Sequence, residues 1–362
     1  MNMIKFSTEH ISQSRFAATV RENVNKYFKE NGISTKGNAA LVVQTLIMLS
    51  VYAVPFVVIL ILPMTSWMAL FLSGLMGIGV AGVGMCAMHD AVHGSYSRHD
   101  WVNKVVGGTM YLLGGNVISW KIQHNILHHT YTNIDGQDED IASRGPIRLS
   151  ENSPLRKFHR YKYIHAFFFY GLMTISKLTK DFKQLAAYNR SGITRQLNIN
   201  PVSEYFKMVL VKAIYLFVMI GLPVLFTAFA WWQVLIGFFV MHFIASAILS
   251  TVFQLAHVVE GTLQPMPNGE GLIENQWHVH ELLTTSDFAR NNKLLTWYVG
   301  GLNFQIEHHL FPNICHIHYK QIAPIVEKTA KEYGLKYNLK PSFRNAIVSH
   351  IKRLKALGKT AV

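Results

Sequence analysis

The chain has 362 residues, half of them hydrophobic and 15% charged, with 34 Lys and Arg against 20 Asp and Glu for a net charge of +14. Ordinary soluble domains carry about 25% charged residues, so this composition argues against one, and two cysteines exclude a disulfide framework. The positive charge does not require nucleic acid: basic cytoplasmic loops and anionic lipid headgroups account for it, and no nucleic-acid partner is expected.

Residues 1–38 are polar and lack the apolar core of a signal peptide, so no secretory processing is expected. Within them Phe16, Val20, Val24, Tyr27 and Phe28 recur at helical spacing. That pattern suits an interfacial helix, and a packed soluble helix would share it. Four apolar stretches follow: Ala39 to Leu62, Trp67 to Met88, Ala213 to Ala230 and Trp231 to Phe253. Each approaches the roughly 20 residues that cross a bilayer as a helix. Pro63 and the Trp231-Trp232 pair mark turns between partners.

Lys and Arg accumulate on the cytoplasmic side of a membrane. None occurs from Gly37 through Ser97 or from Ala213 through Ala289. The expected fold is therefore an all-α integral membrane protein with four transmembrane helices in two hairpins, residues 39–88 and 213–253. A cytoplasmic N-terminal arm (1–38) and a cytoplasmic helical cap (89–212 and 254–362) complete a single domain. Both termini share the cytoplasmic side.

Three histidine clusters punctuate this plan: His89-Asp90-Ala91-Val92-His93, His124-Asn125-Ile126-Leu127-His128-His129 and Gln305-Ile306-Glu307-His308-His309. Residues three and four apart share a helix face, so each cluster can aim two or more imidazole nitrogens at one point. Neutral imidazole suits iron, zinc and copper, and none of the clusters contains a thiolate. Seven histidines are too many for one metal ion. The first cluster begins at the inner end of the second span and the third follows a complete two-helix excursion, so the second must join them on the cytoplasmic side. The intervening run Val105 to Trp120 is accordingly buried or re-entrant, as its glycines at 107, 108, 114 and 115 suggest.

Lone histidines such as His165 and His242 are expected to be packed and hydrogen-bonded, and His278, His280, His316 and His318 stay open. Asp138, Glu139 and Asp140 read as a solvated loop in preference to acceptors for the second cluster. Asp90 and Glu307, inside the clusters, are better placed to orient imidazoles. Tyr161 to Tyr170 is ambiguous, and Cys86 and Cys315 demand no role.

The clusters, their order and their placement around two hairpins resemble the membrane-bound fatty acid desaturases over most of the chain. Gln305 stands where many of these enzymes carry histidine, and Gln-x-x-His-His, within Asn303 to Pro312, resembles the front-end subgroup. Those enzymes insert a double bond between an existing one and the carboxyl end. The His-Pro-Gly-Gly motif of a fused haem domain does not occur in this sequence, so the resemblance implies electrons from a separate protein such as a ferredoxin or a cytochrome.

The resemblance further implies a non-haem centre of two iron ions with O2 as co-substrate. It carries over His89, His93, His124, His128, His129, His308 and His309 as ligands, with His257 in Phe253-Gln254-Leu255-Ala256-His257 as the additional one. Gln305 could ligate, act through water or shape the surroundings. An unactivated methylene has neither acidic proton nor leaving group, so an oxidising metal must start the reaction. The implied substrate is a fatty acyl chain such as linoleoyl on coenzyme A, an acyl carrier protein or a membrane lipid, held in an apolar tunnel that Trp277, Trp297 and Tyr298 could line. A bacterial inner membrane fits better than the endoplasmic reticulum. A diiron lipid or alkane hydroxylase is the alternative enzyme. A metal transporter or sensor would place its ligands near the bilayer midplane, and a zinc hydrolase needs fewer of them.

Overall fold

A computed structural model of the chain describes residues 4–142 and 145–359. Its architecture is helical, with two short parallel strand pairs, Lys5–Phe6 on Leu272–Ile273 and Asp287–Phe288 on Leu339–Lys340. Among the described residues four helices are long and apolar enough to cross a membrane: α2 (Ala39–Ile61), α3 (Ser66–Val92), α8 (Pro201–Phe226) and α9 (Trp231–His257). Around them lie α1 (Ile11–Glu30), α4 (Asp100–Gly107), α5 (Val117–Lys121), α6 (Lys162–Tyr170), α7 (Met173–Arg190), α10 (Trp277–Thr284), α11 (Gln305–Leu310), α12 (Tyr319–Glu332) and α13 (Phe343–Leu357).

Helix α3 packs against both α2 and α9. Glycine makes this close approach possible. A Cβ at Gly79 would lie 2.5 Å from the Tyr52 backbone nitrogen on α2, and one at Gly77 2.5 Å from the Met241 carbonyl on α9. Small residues at such contacts let backbones approach where lipid supplies no hydrophobic drive between helices. The outward faces stay apolar, with Val43, Leu46 and Val57 on α2 and Val202, Phe206 and Val209 on α8 exposed. A surface of that kind needs lipid as its solvent.

Two expected boundaries shift. The third apolar helix begins at Pro201 rather than Ala213, capped by Asn200, whose side chain accepts from the Val202 and Ser203 amides. A boundary drawn from the Lys-free window misses this first part because Lys207 and Lys212 lie on the helix itself. Lys212 is tolerated there since its ammonium is buried on Asp181 Oδ2 at 2.9 Å and donates to the Gly114 and Lys177 carbonyls. The fourth helix runs past Phe253 to His257, which puts that histidine on its last turn.

The run Val105 to Trp120 is broken into α4, a tight 3-10 stretch over Gly108–Leu113 ended by Gly114, and α5, and so makes no single crossing. Its burial is partial, for Val105 and Leu112 are exposed. Helix α1 takes the packed alternative. Phe16, Val20, Val24 and Phe28 are buried in one core with Ile322 and Val326 of α12 and with Ile306 and Leu310 of α11. The N-terminal arm therefore braces the third histidine cluster.

Breaking a buried ion pair leaves an uncompensated charge that costs about 3–5 kcal/mol. Asp181→Ala is expected to lower the melting temperature of the detergent-solubilised protein accordingly, with Asp181→Asn falling between it and the wild type.

Candidate metal centre

Local backbone geometry aims the histidines. The last turns of α3 widen to a π-helical turn over Val83–Met88 immediately before His89, and α5 runs into another over Ile122–His128 that carries the second cluster. Such turns rotate the residues beyond them off the regular helical face, and they recur at functional sites. The third cluster sits on α11, which is buried throughout and tied at its start by the Ile306 amide donating to Asp287 Oδ1 at 3.0 Å. The end of α9 is held by Asn133, a left-handed residue (φ 60°) whose amide nitrogen lies 3.0 Å from the carbonyls of His257, Leu263 and Thr284.

These elements bring all eight expected histidines together. His89, His93, His124 and His308 each offer a nitrogen within 4.8 Å of the others, and His128, His257 and His309 form a second such group. His129 joins both through His308 and His309. Nε2 of His89 faces Nε2 of His124 at 3.1 Å, and Nε2 of His129 faces that of His308 at 2.9 Å. All are buried except the half-buried His93.

The donor atoms fit a metal. Among the described residues, buried Nε2 of His93, His128 and His309, Nδ1 of His129 and both nitrogens of His257 have no hydrogen-bond partner, and neither does either amide atom of Gln305. Each such orphan costs about 1–3 kcal/mol. So many around one point make sense as lone pairs awaiting a cation, and an all-imidazole set suits a transition metal.

Carboxylates and a phenol hold the opposite ring edges. His128 Nδ1 donates to Asp138 at 3.0 Å, His309 Nδ1 to Glu281 Oε2 at 2.7 Å, and His308 Nδ1 lies 3.2 Å from the Tyr319 hydroxyl. Fixing Nδ1 in this way sets the tautomer and leaves Nε2 free to ligate. Burial pushes His93 down to about 3, helped by His128 and Lys121, and holds His124, His129, His308 and His309 well below the ordinary histidine range. Those five imidazoles are neutral at pH 7, the form that binds metal. His128 behaves oppositely: burial pulls it down, but Asp138 and Asp140 outweigh this and raise it to about 9.

Several expectations need correction. Asp138 is no solvated loop residue: the Asn133 turn buries it, with the Asn133 amide donating to Asp138 Oδ2 at 2.9 Å. Glu139 is likewise engaged, by Tyr188 and Gln184. Asp90 Oδ2 accepts from His316 Nδ1 at 2.7 Å and Cys315 Sγ at 3.0 Å, not from a cluster imidazole. Glu307 likewise meets Tyr337, 2.8 Å away. Both acids point away from the centre because their neighbours in sequence occupy the inward face of the helix.

Of the open histidines, His280 reaches the Thr132 carbonyl and His318 that of Lys36. His165 and His242 are hydrogen-bonded as expected. Glu281, Tyr319 and Asn133 were missed. Glu281 left a trace, as an acid in the long Lys- and Arg-free window beside an apolar run.

A cavity of about 280 Å³ opens beside the centre, lined by Trp120, His124, Met110, Leu113 and Phe253, with Gln123, Asp140, Lys177 and Lys180 at its polar end. Trp120 stacks on His124 with ring centroids 4.4 Å apart. The expected aromatics are elsewhere. Trp277 donates to the His129 carbonyl at 3.0 Å and the Tyr298 hydroxyl to that of Ile78, and neither they nor Trp297 line this cavity.

A family model for fatty acid desaturases matches residues 65–341. The chain is 33% identical over 349 residues to the sn-1 linoleoyl-lipid 6-desaturase of Synechocystis sp., covering 96% of each. It is 32% identical to the protein of the same name from Arthrospira platensis, over 94% of this chain and 92% of that one. The acyl-lipid (8-3)-desaturase of Physcomitrium patens is 32% identical over 95% of this chain and 72% of its own length.

Loss of a residue that orients a metal-bound histidine weakens metal affinity by about 10–100-fold. Glu281→Ala is expected to do so in a chelator competition read by bound metal, while Glu30→Ala, at the exposed end of α1, leaves retention unchanged. An imidazole with a depressed folded value takes up its proton more readily in the unfolded chain. The stability of the metal-free protein should therefore be full above pH about 6.5 and fall as pH drops below it. Among these imidazoles His128 runs the other way, contributing fully below about 6.5 and losing its share as pH rises through about 9. Glu281 and Asp138, both raised by burial, work in the same sense as His128, so melting temperatures measured across this range check the balance between these groups and the five depressed imidazoles.

Proposed function

This chain belongs to the fatty acid desaturase family, and from that membership we propose that it is a front-end enzyme working on a lipid-linked acyl chain such as linoleoyl, with two iron ions and O2. That it is a membrane oxidoreductase forming double bonds in fatty acyl chains follows from the family itself. The finer reading rests first on the eight convergent imidazoles with their orphaned nitrogens beside an apolar cavity. The Gln305 box and the relatives named for linoleoyl-lipid and acyl-lipid desaturation support it further.

In this reading His89, His93, His124 and His308 hold one ion and His128, His257 and His309 the other, with His129 within reach of both groups. Gln305, buried with its amide unpaired, is available to either ion or to a water. When bound, the irons supply the reductive activation of O2 that oxidation of an unactivated methylene demands. The protein does the rest. Asp138, Glu281 and Tyr319 hold the imidazole tautomers. Trp120, Met110 and Phe253 keep water from the acyl chain and fix one carbon pair beside His124. The polar end of the cavity, with Lys177 and Lys180, suits the carboxyl side of the substrate. A double bond placed near that side follows from His124 lying close to the polar end. Electrons come from a separate protein, a ferredoxin or a cytochrome.

The Lys- and Arg-free windows 37–97 and 213–289 support two hairpins, α2 with α3 and the part of α8 beyond Lys212 with α9, with the histidine centre, both termini and the remaining helices as a cytoplasmic cap. We read the whole as one multi-pass domain in a bacterial inner membrane.

Cells expressing the chain with an electron donor and fed linoleic acid are expected to accumulate a product with one further cis double bond on the carboxyl side. Gas chromatography with mass spectrometry should find it, and His308→Ala or His309→Ala should abolish it. The purified protein should hold two irons. A hydroxylated product would assign the chain to hydroxylation instead, and an iron-loaded, reduced enzyme that leaves every acyl substrate unchanged would overturn the reading.

A further inference from the structure

One buried group of metal-ligating side chains shares no residue with the histidine centre. Asp90, near the end of α3, meets Cys315 and His316, which follow the third cluster, and a carboxylate oxygen, the Sγ and a ring nitrogen lie within 4.8 Å of one another. All three residues are buried. Cys315 is anchored by its amide, which donates to the Thr35 carbonyl at 2.8 Å. His316 packs on Gly301, where φ is +67° and a Cβ would lie 2.8 Å from that of His316. Only glycine combines that backbone with that contact at no cost.

Gln44 of α2 fixes which nitrogen of His316 carries a proton. Its Nε2 donates to the Trp297 carbonyl and to Cys86 Sγ at 3.3 Å, so the atom facing His316 Nε2 at 3.2 Å is its Oε1. An amide oxygen only accepts, and His316 Nε2 therefore donates to it. In the neutral ring Nδ1 is then a lone pair, yet it stands 2.7 Å from Asp90 Oδ2, another acceptor. Two acceptors that close require a positive charge between them, either a proton shared by an imidazolium and a carboxylate or a metal ion that binds both. The third group points to the metal. Cys315 Sγ lies 3.0 Å from the same carboxylate oxygen, and a thiolate, an imidazole and a carboxylate converging on one point are the donor set of a zinc site, with Gln44 orienting the imidazole from behind.

We propose that Asp90, Cys315 and His316 Nδ1 bind a zinc ion outside the histidine centre, with a water completing the tetrahedron. As the ion enters, the Cys315 thiol and the Asp90–His316 pair each release one proton. A divalent cation thus replaces two protons, the net charge of the group stays at zero, and no uncompensated charge is left in the interior. Ligand atoms at the corners of a zinc tetrahedron lie about 3.4 Å apart, so binding widens the 2.7 Å contact by less than about 1 Å. The ion pins the end of α3, one residue from His89, to the segment that follows His309, and so fixes the first cluster against the third. Zinc has no redox chemistry, and its part here is structural. The site does not depend on the desaturase reading.

The test uses detergent-purified full-length protein from cells grown with added zinc: wild type, Cys315→Ser and Cys86→Ala. Plasma mass spectrometry counts iron and zinc, and X-ray absorption at the zinc edge identifies the neighbours of the zinc. Wild type and Cys86→Ala are expected to hold one zinc per chain with a sulfur neighbour at about 2.3 Å. The histidine centre contains no cysteine, so zinc bound there shows nitrogen and oxygen alone. Cys315→Ser is expected to lose the sulfur neighbour and at least about tenfold in zinc affinity, while an iron content equal to that of wild type shows that its histidine centre has folded. If Cys315→Ser does not accumulate, Cys86→Ala decides, because Cys315 is then the one cysteine left in the chain. Wild-type protein without thiolate-bound zinc, a sulfur neighbour that persists in Cys315→Ser, or one that vanishes in Cys86→Ala overturns the site and leaves Asp90 and His316 as a buried ion pair. None of these results bears on the desaturase reading, which the acyl products test.

Discussion

The structure depends on keeping a group of imidazoles neutral, close together and short of hydrogen-bond partners in a buried interior. Every feature near the centre serves that arrangement. Burial removes the protonated form of five of the rings, and partners behind His128, His308 and His309 decide which nitrogen of each faces inward. Asp138 and Glu281 are themselves buried acids and would be costly alone. Paired with rings that a cation would bind, they become part of one charge-balanced unit.

That unit is assembled from distant parts of the chain, and each part has its own anchor. The second cluster is wrapped by the Asn133 turn, whose side chain also gathers the end of α9 and the end of α10. The third cluster is tied to the short strand pair through Asp287 and packed by α1 and α12. Asp90 on α3, though it points away from the metal side, binds His316 and Cys315 and so straps the segment after the third cluster to the first. The close glycine contacts of α3 with α2 and α9 then set where His89 emerges from the apolar layer.

Legibility in the sequence followed the range of the interaction. Periodicity and composition are local, and they located the apolar helices and the three clusters, while His257 was singled out only by the resemblance to the desaturases. Boundaries failed where a long-range pair changed the cost of a charge: Lys212 reads as the end of a polar segment until Asp181 is seen beside it. The acids failed for the same reason. Asp90 and Glu307 sit next to ligand candidates in sequence but on the other side of the helix, whereas Glu281 is far away in sequence and touches His309. A Trp120 stacked on His124 was likewise invisible, while Trp277, closer to the third cluster in sequence, braces a backbone carbonyl.

By itself the sequence determined that this is a membrane protein with histidines to spare for more than one metal ion. Residue type and helical spacing carry that information without reference to any contact. Only the tertiary structure decided how the histidines divide into two groups, which acids orient them, that a π-helical turn aims two of the clusters, and which residues line the apolar cavity beside them. Those outcomes are set by pairings across the chain, where a few ångströms determine whether a buried polar atom is satisfied, and no local pattern encodes them.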